Sequence, residues 1–283
     1  MSGAAIAIHL FAIVGAVWLA FREAGRLRER GFKLDSKSGF RRARAVMLCA
    51  AVMAVANLVV IALSASPSLA WKMPPAVDVG LLPIGWLITE SCAVFVFATV
   101  VFLAFQTRHR DRTKLVFAAA LSALAIELAY WRANAPIHAS LTESVTSDGI
   151  ILQSSGVSCA AASCANIGTL LGTPMSEKEA ARLLGTSMHG TSVGQIVIGM
   201  ESRGFACRKV DIESDRLTDI SPPAVLMVDH PALGPESHAV ALVRVEEDAF
   251  EVWDPLFGSE IMTADKLGSI WRGRAVEISR AGE

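Results

Sequence analysis

Apolar residues in the first 133 positions fall in long unbroken runs, and after that point they recur at helical or alternating spacings. Four runs, Ala4–Phe21, Ala45–Leu63, Leu81–Phe105 and Leu115–Trp131, approach or exceed the length a helix needs to cross a hydrocarbon layer of roughly 30 Å. The stretch from Asn134 to Gly149 is polar and turn-rich and reads as a tether. Helix signals follow. A Ser/Gly loop leads into Cys159 and a run of Ala, Leu and Ile, with Gly172 and Pro174 as the stop. Ser176-Glu-Lys-Glu179 and Ser192-Val-Gly-Gln195 are capping boxes for two further helices, ending at Gly185 and near Gly204. The period then changes to two over Cys207–Ile212, Ala224–Val228, His238–Val245, Phe250–Trp253 and Ala275–Ile278. The pattern predicts an α-helical membrane bundle of four transmembrane helices over 1–133, a tether over 134–149, and an α+β domain over 150–283.

Composition agrees with this division. The 283 residues are 53% hydrophobic and 19% charged, too apolar for an ordinary soluble protein, and the excess sits in the first half. A net charge of −1 without a basic-aromatic patch argues against a nucleic-acid partner. The first run lacks a basic leader and is followed by arginines instead of a cleavage site, so it reads as a retained span. Between Arg22 and Arg44 nine basic residues face three acidic ones, and Arg108, Arg110, Arg112 and Lys114 precede the fourth run. The loop between the second and third runs carries only Lys72 and Asp78. The positive-inside rule then places both basic loops in the cytoplasm. The N-terminus and the α+β domain fall on the extracytoplasmic side of a multi-pass cytoplasmic membrane, with Tyr130 and Trp131 at the outer interface.

His9, Asn57, Glu90 and Glu127 are polar residues inside these spans, all expected in the outer half of the bilayer. They form either an interhelical hydrogen-bonded cluster or an ion or proton site. Cys49 and Cys92 read as packing residues.

Candidate chemistry concentrates around Cys159. A cysteine attacks only as thiolate, and the first turn of a helix favours that form. Gln153, six residues earlier, can turn its amide toward an oxyanion formed on an attacked carbonyl. His238–Val245 and Ala249–Asp254 form a hairpin pattern. If Glu246–Asp248 is the loop, Val245 faces Ala249 and Val240 faces Asp254, which sets His238 and Asp254 on one face as diagonal neighbours. A shift of one residue would separate them. His189 and His230 are alternative bases. His238 is preferred because its strand has a partner that delivers an aspartate.

Gln153-x5-Cys159, His238 and Asp254-Pro255, in that order, together with Gly190-Thr-Ser-Val-Gly194 and Arg203-Gly-Phe205, resemble the bacteriocin-processing, double-glycine-leader peptidases found in peptide-exporting ABC transporters. The resemblance spans residues 150–280 and implies a papain-like cysteine peptidase. It further implies that Cys159 is the nucleophile, His238 the base, Asp254 the orienting carboxylate and Gln153 an oxyanion donor, with no cofactor and no metal. The expected function is a membrane-anchored endopeptidase for secreted or membrane-associated peptides, cutting after small, Gly-Gly-like residues, with an exporter or other membrane subunit as a candidate partner. Ala160 departs from the family's usual glycine, and the chain has no phosphate-binding G-x-x-x-x-G-K-[ST] loop. The alternative function is a catalytically inactive papain-like subunit that binds peptide or supports assembly. For the thiols, a Cys164–Cys207 bridge is one option and two free buried cysteines the other. Cysteines five apart on a helix disfavour a zinc site.

Overall fold

The structure is a computed structural model and describes residues 3–31, 55, 67–106, 112–213, 216–232, 234–246 and 249–282. The chain forms two compact units. One takes Met1–Ser66 and Gly80–Arg132, the other Pro67–Val79 and Ala133–Glu283.

Three of the apolar runs lie in helices: α1 covers Gly3–Glu29, α3 covers Pro75–Gln106 and α4 covers Arg112–Ala133, while the short α2, Pro67–Lys72, and the first turn of α3 belong to the second unit. Among the described residues one helix, α3, is long and apolar enough to cross a membrane by length and composition. The expected bundle of four spans is not supported beyond this one candidate, and its second member, 45–63, lies outside the described residues except for Val55, as do Cys49 and Asn57. The side chains of His9 and Glu127 also lie outside the description, and that of Glu90 is buried.

The second unit is α+β. After a 3₁₀ turn at His138–Ser140 come α5 (Cys159–Leu170), α6 (Glu177–Leu184) and α7 (Val193–Ser202). Six strands follow: β1 (Phe205–Asp211), β2 (Ala224–His230), β3 (Gly234–Glu246), β4 (Ala249–Asp254), β5 (Gly258–Thr263) and, after α8 (Ala264–Ile270), β6 (Trp271–Arg280). All pairs are antiparallel, in the order β1-β6-β2-β3-β4-β5. Both capping boxes form with reciprocal bonds, and Gly185 closes α6 in the left-handed conformation (φ 67°) that favours glycine. Strand β5 and helix α8 have no counterpart in the sequence expectation, because Gly258–Thr263 lacks a clean alternation and α8 is only seven residues long.

Alternation along β3 feeds two cores. Ala239 and Ala241 join Ala161, Cys164 and Ala165 of α5, whereas Val240 and Leu242 join Phe250, Val252 and Trp271 in a second cluster. The small residues of α5 let the helix lie close on β3, and Ser163 Oγ donates to Ala239 O at 3.0 Å, one residue beyond His238.

The expected tether is not free. Ile137 and Leu141 are buried in the first core, since two large apolar side chains gain more by burial than by exposure. The boundary at 133 changes at one further place: segment 67–79, expected as an inter-span loop, packs into the α+β unit. Trp71 is 7% exposed within its core. Lys209 of β1 lies over the Trp71 ring and donates to Trp71 O and Met73 O, both at 2.6 Å. Asp78 accepts from Gly194 N, in the first turn of α7, at 2.7 Å. Gly194 is needed there, because a Cβ would lie 2.6 Å from Pro75 O and 2.7 Å from Asp78 Oδ2.

Candidate active site

Cys159 opens α5. The hydroxyl of Ser158, the residue before it, does not cap the helix. It donates to Ser155 O at 2.9 Å and accepts from Ser155 N at 3.2 Å, closing the loop on itself. Ser155 O also accepts from Gln153 Nε2 at 2.8 Å. Gln153 N donates to Pro255 O at 2.8 Å, which joins this loop to the residue after Asp254. Just upstream, Asn166 of α5 clamps Ile151 through both its backbone groups, at 2.8 and 2.9 Å. Sequence reading missed this buried amide, although a polar residue within an apolar helix was a usable signal.

The opposite side is built from sheet. Glu246 faces Ala249, so the hairpin turn is one residue tighter than expected. A bulge between Leu242 and Arg244 then shifts the register back, leaving Leu242 opposite Val252 and Ala241 opposite Trp253. The two offsets cancel, and His238 and Asp254 share a face. His238 Nε2 lies 2.9 Å from Asp254 Oδ1, which also accepts from Leu256 N at 2.8 Å. Both side chains are largely buried.

Cys159 lies close enough to His238 to act on its imidazole. Because Nε2 is engaged by Asp254, Nδ1 is the nitrogen left for the thiol. Burial alone would pull the imidazole pKa down. The interactions with Asp254 and with Cys159, together with the charges of both partners, outweigh burial only in sum, and His238 is raised to about 9. An imidazolium beside a thiol favours the thiolate.

The structure therefore brings together Cys159, His238 and Asp254, with Gln153 on the loop that leads into the cysteine. It does not bring His189 to them. That residue is exposed, its backbone N–H bonded to Ser187 Oγ. His230 stacks edgewise on His238, ring centroids 5.7 Å apart, and its Nδ1 accepts from Ala232 N. Cys164 and Cys207 are free thiols. Burial and the nearby Cys207 and Cys159 push Cys164 up, and burial followed by the charge of Glu201 pushes Cys207 up to about 12, so both are poor nucleophiles. Among the described residues no group of three or more His, Cys, Asp or Glu could hold a metal ion.

Residues 147–283 match the model of the Peptidase C39 family. An uncharacterized protein of Methanothermobacter marburgensis is 28% identical over 131 residues, 46% of this chain and 88% of that protein. One from Methanothermobacter thermautotrophicus is 25% identical over 140 residues, 50% of this chain and 94% of that protein. Among solved structures, a double glycine motif protease from an AMS/PCAT transporter, in complex with its leader peptide, is 15% identical. It covers 49% of this chain and 92% of its own at a TM-score of 0.42. The peptidase domain of Streptococcus ComA, a bifunctional ABC transporter, is 19% identical and covers 46% and 96% at a TM-score of 0.41.

Proposed function

Residues 147–283 belong to the Peptidase C39 family of cysteine peptidases, and from that premise we propose that the chain is a membrane-anchored endopeptidase that cuts peptides after small, Gly-Gly-like residues on the extracytoplasmic side. The observation that carries the chemistry is the contact series from Cys159 through His238 to Asp254. His238 takes the thiol proton on Nδ1, and the sulfur adds to the scissile carbonyl. Gln153 Nε2 and the Cys159 backbone N–H hold the oxygen that becomes negative. His238 returns the proton to the leaving amine, the acyl group stays on sulfur, and water then releases it. Asp254 fixes the imidazole tautomer by accepting from Nε2–H. Preference for Gly-Gly follows the likeness of the Gln153–Cys159 segment to double-glycine-leader peptidases, with Ala160 adding a methyl beside the nucleophile where those enzymes have glycine.

Two features support the membrane part. The charge asymmetry of the loops orients the chain with residues 134–283 outside. In addition, segments 67–79 and 133–283 make one compact unit, in keeping with the expectation that both lie on the same side.

The deciding experiment incubates the full chain with a synthetic peptide carrying a Gly-Gly site and follows cleavage by mass spectrometry. Wild type should cut after the second glycine and Cys159→Ala should not. Selective labelling of Cys159 without cleavage of any such peptide would favour the binding subunit instead.

A further inference from the structure

One buried carboxylate stands outside the Cys159–His238–Asp254 series. Glu177, at the first helical position of α6, is 1% exposed. Its two oxygens take both donors of a single residue: Ser154 N donates to Oε1 at 2.9 Å and Ser154 Oγ to Oε2 at 2.7 Å. Ser154 Oγ in turn accepts from Thr142 N at 3.1 Å. Withdrawing a carboxylate from water is costly, and two neutral donors offset only part of the penalty. The start of α6 does not require it, because the Ser176–Glu179 capping box already serves that helix end.

The residue held this way is the neighbour of Gln153. Gln153 Oε1 is buried without a hydrogen-bond partner, so its amide is aimed only from the nitrogen side, by Ser155 O. Ser154 lies between the two. Gripping its N–H and its hydroxyl at once fixes the peptide plane on the Gln153 side and the position from which Ser155 follows. We propose that Glu177 is a positioning residue that acts through Ser154 to keep the Gln153 amide aimed at the oxyanion. This rests on the peptidase reading and deepens it. Glu177 touches neither substrate nor nucleophile, and its effect is confined to steps in which the carbonyl oxygen becomes negative.

Two probes of Cys159 on the full chain separate that effect from general loss of structure. Iodoacetamide alkylates the sulfur with loss of iodide and forms no oxyanion. A Gly-Gly peptide aldehyde is captured reversibly: the sulfur bonds to the aldehyde carbon, the carbonyl electron pair moves to oxygen, and nothing leaves. Glu177→Ala should weaken aldehyde capture by about tenfold or more, in line with losing one oxyanion donor, while the alkylation rate holds. Glu177→Gln, which keeps an acceptor for Ser154 N, and Ser154→Ala, which removes one of the two bonds, should fall between it and wild type. These two carry the test if Glu177→Ala does not fold. Equal losses with both probes, or no change with either, would overturn the proposal. A wild-type chain that is alkylated at Cys159 yet captures no aldehyde would instead overturn the peptidase reading, and this proposal with it.

Discussion

The two sides of the site are held by different means. His238 and Asp254 sit on β3 and β4, where the strand ladder sets their relation and two irregularities, a tight turn and a bulge, offset one another. Gln153 sits on a loop without a ladder, placed by Pro255 O, Ser155 O and the Glu177 grip on Ser154. A position set by backbone pairing tolerates changes in most neighbouring side chains. A position set by side-chain bonds depends on each of them. The loop side should therefore be the fragile half of the site.

The largest expected effect is common to both halves: Cys159→Ala should lower kcat/KM by at least about 10⁴-fold with folding intact, as removal of a nucleophile does elsewhere. Next, Gln153→Ala should lower it by about 10²–10³-fold, the usual loss for one oxyanion donor. A loss as large as that of Cys159→Ala would mean that the loop carries more than an amide.

On the sheet side, Asp254→Asn should matter less for rate than for pH. With His238 raised to about 9, the alkaline limb of the activity profile should fall near pH 9, and removing the carboxylate should move it down. Stability should follow the same group. A histidine whose pKa is raised on folding stabilises fully below its unfolded value of about 6.5 and loses that contribution as pH rises through about 9. Chemical denaturation at a series of pH values should show the decline in wild type and a flatter curve in Asp254→Asn.

The smallest effect is Gly194→Ala, which introduces a Cβ against Pro75 O and Asp78. It should destabilise the α+β unit by about 1–3 kcal/mol, the usual range for overpacking. Cys159 alkylation should be nearly unchanged, because Gly194 is remote from the Gln153 loop in the hydrogen-bond network.

Much of this site could be read from residues alone where one local rule decided the outcome. The capping boxes at Ser176 and Ser192 and the helix at Cys159 follow from short spacings. The pairing of His238 with Asp254 was legible for a less secure reason: the expected three-residue turn was wrong by one residue, and the bulge at Val243 corrected it. Glu177 was passed over as an inner residue of the Ser176–Glu179 capping box, and Asn166 went unremarked, because their partners lie 23 and 15 residues away in sequence. The packing of 67–79 was equally hidden. Trp71 and Asp78 fit a short loop between spans just as well, and their partners Lys209 and Gly194 lie more than 100 residues downstream.

That packing limits how freely the catalytic module can be moved between proteins. A fragment cut at residue 134 would leave an open hollow where the indole had been, an ammonium stripped of two carbonyls and a helix start stripped of its anion. Transplanting the peptidase to another carrier would require that carrier to supply a substitute for all three, so the graft has to include residues 67–79, which end more than 50 residues before it begins.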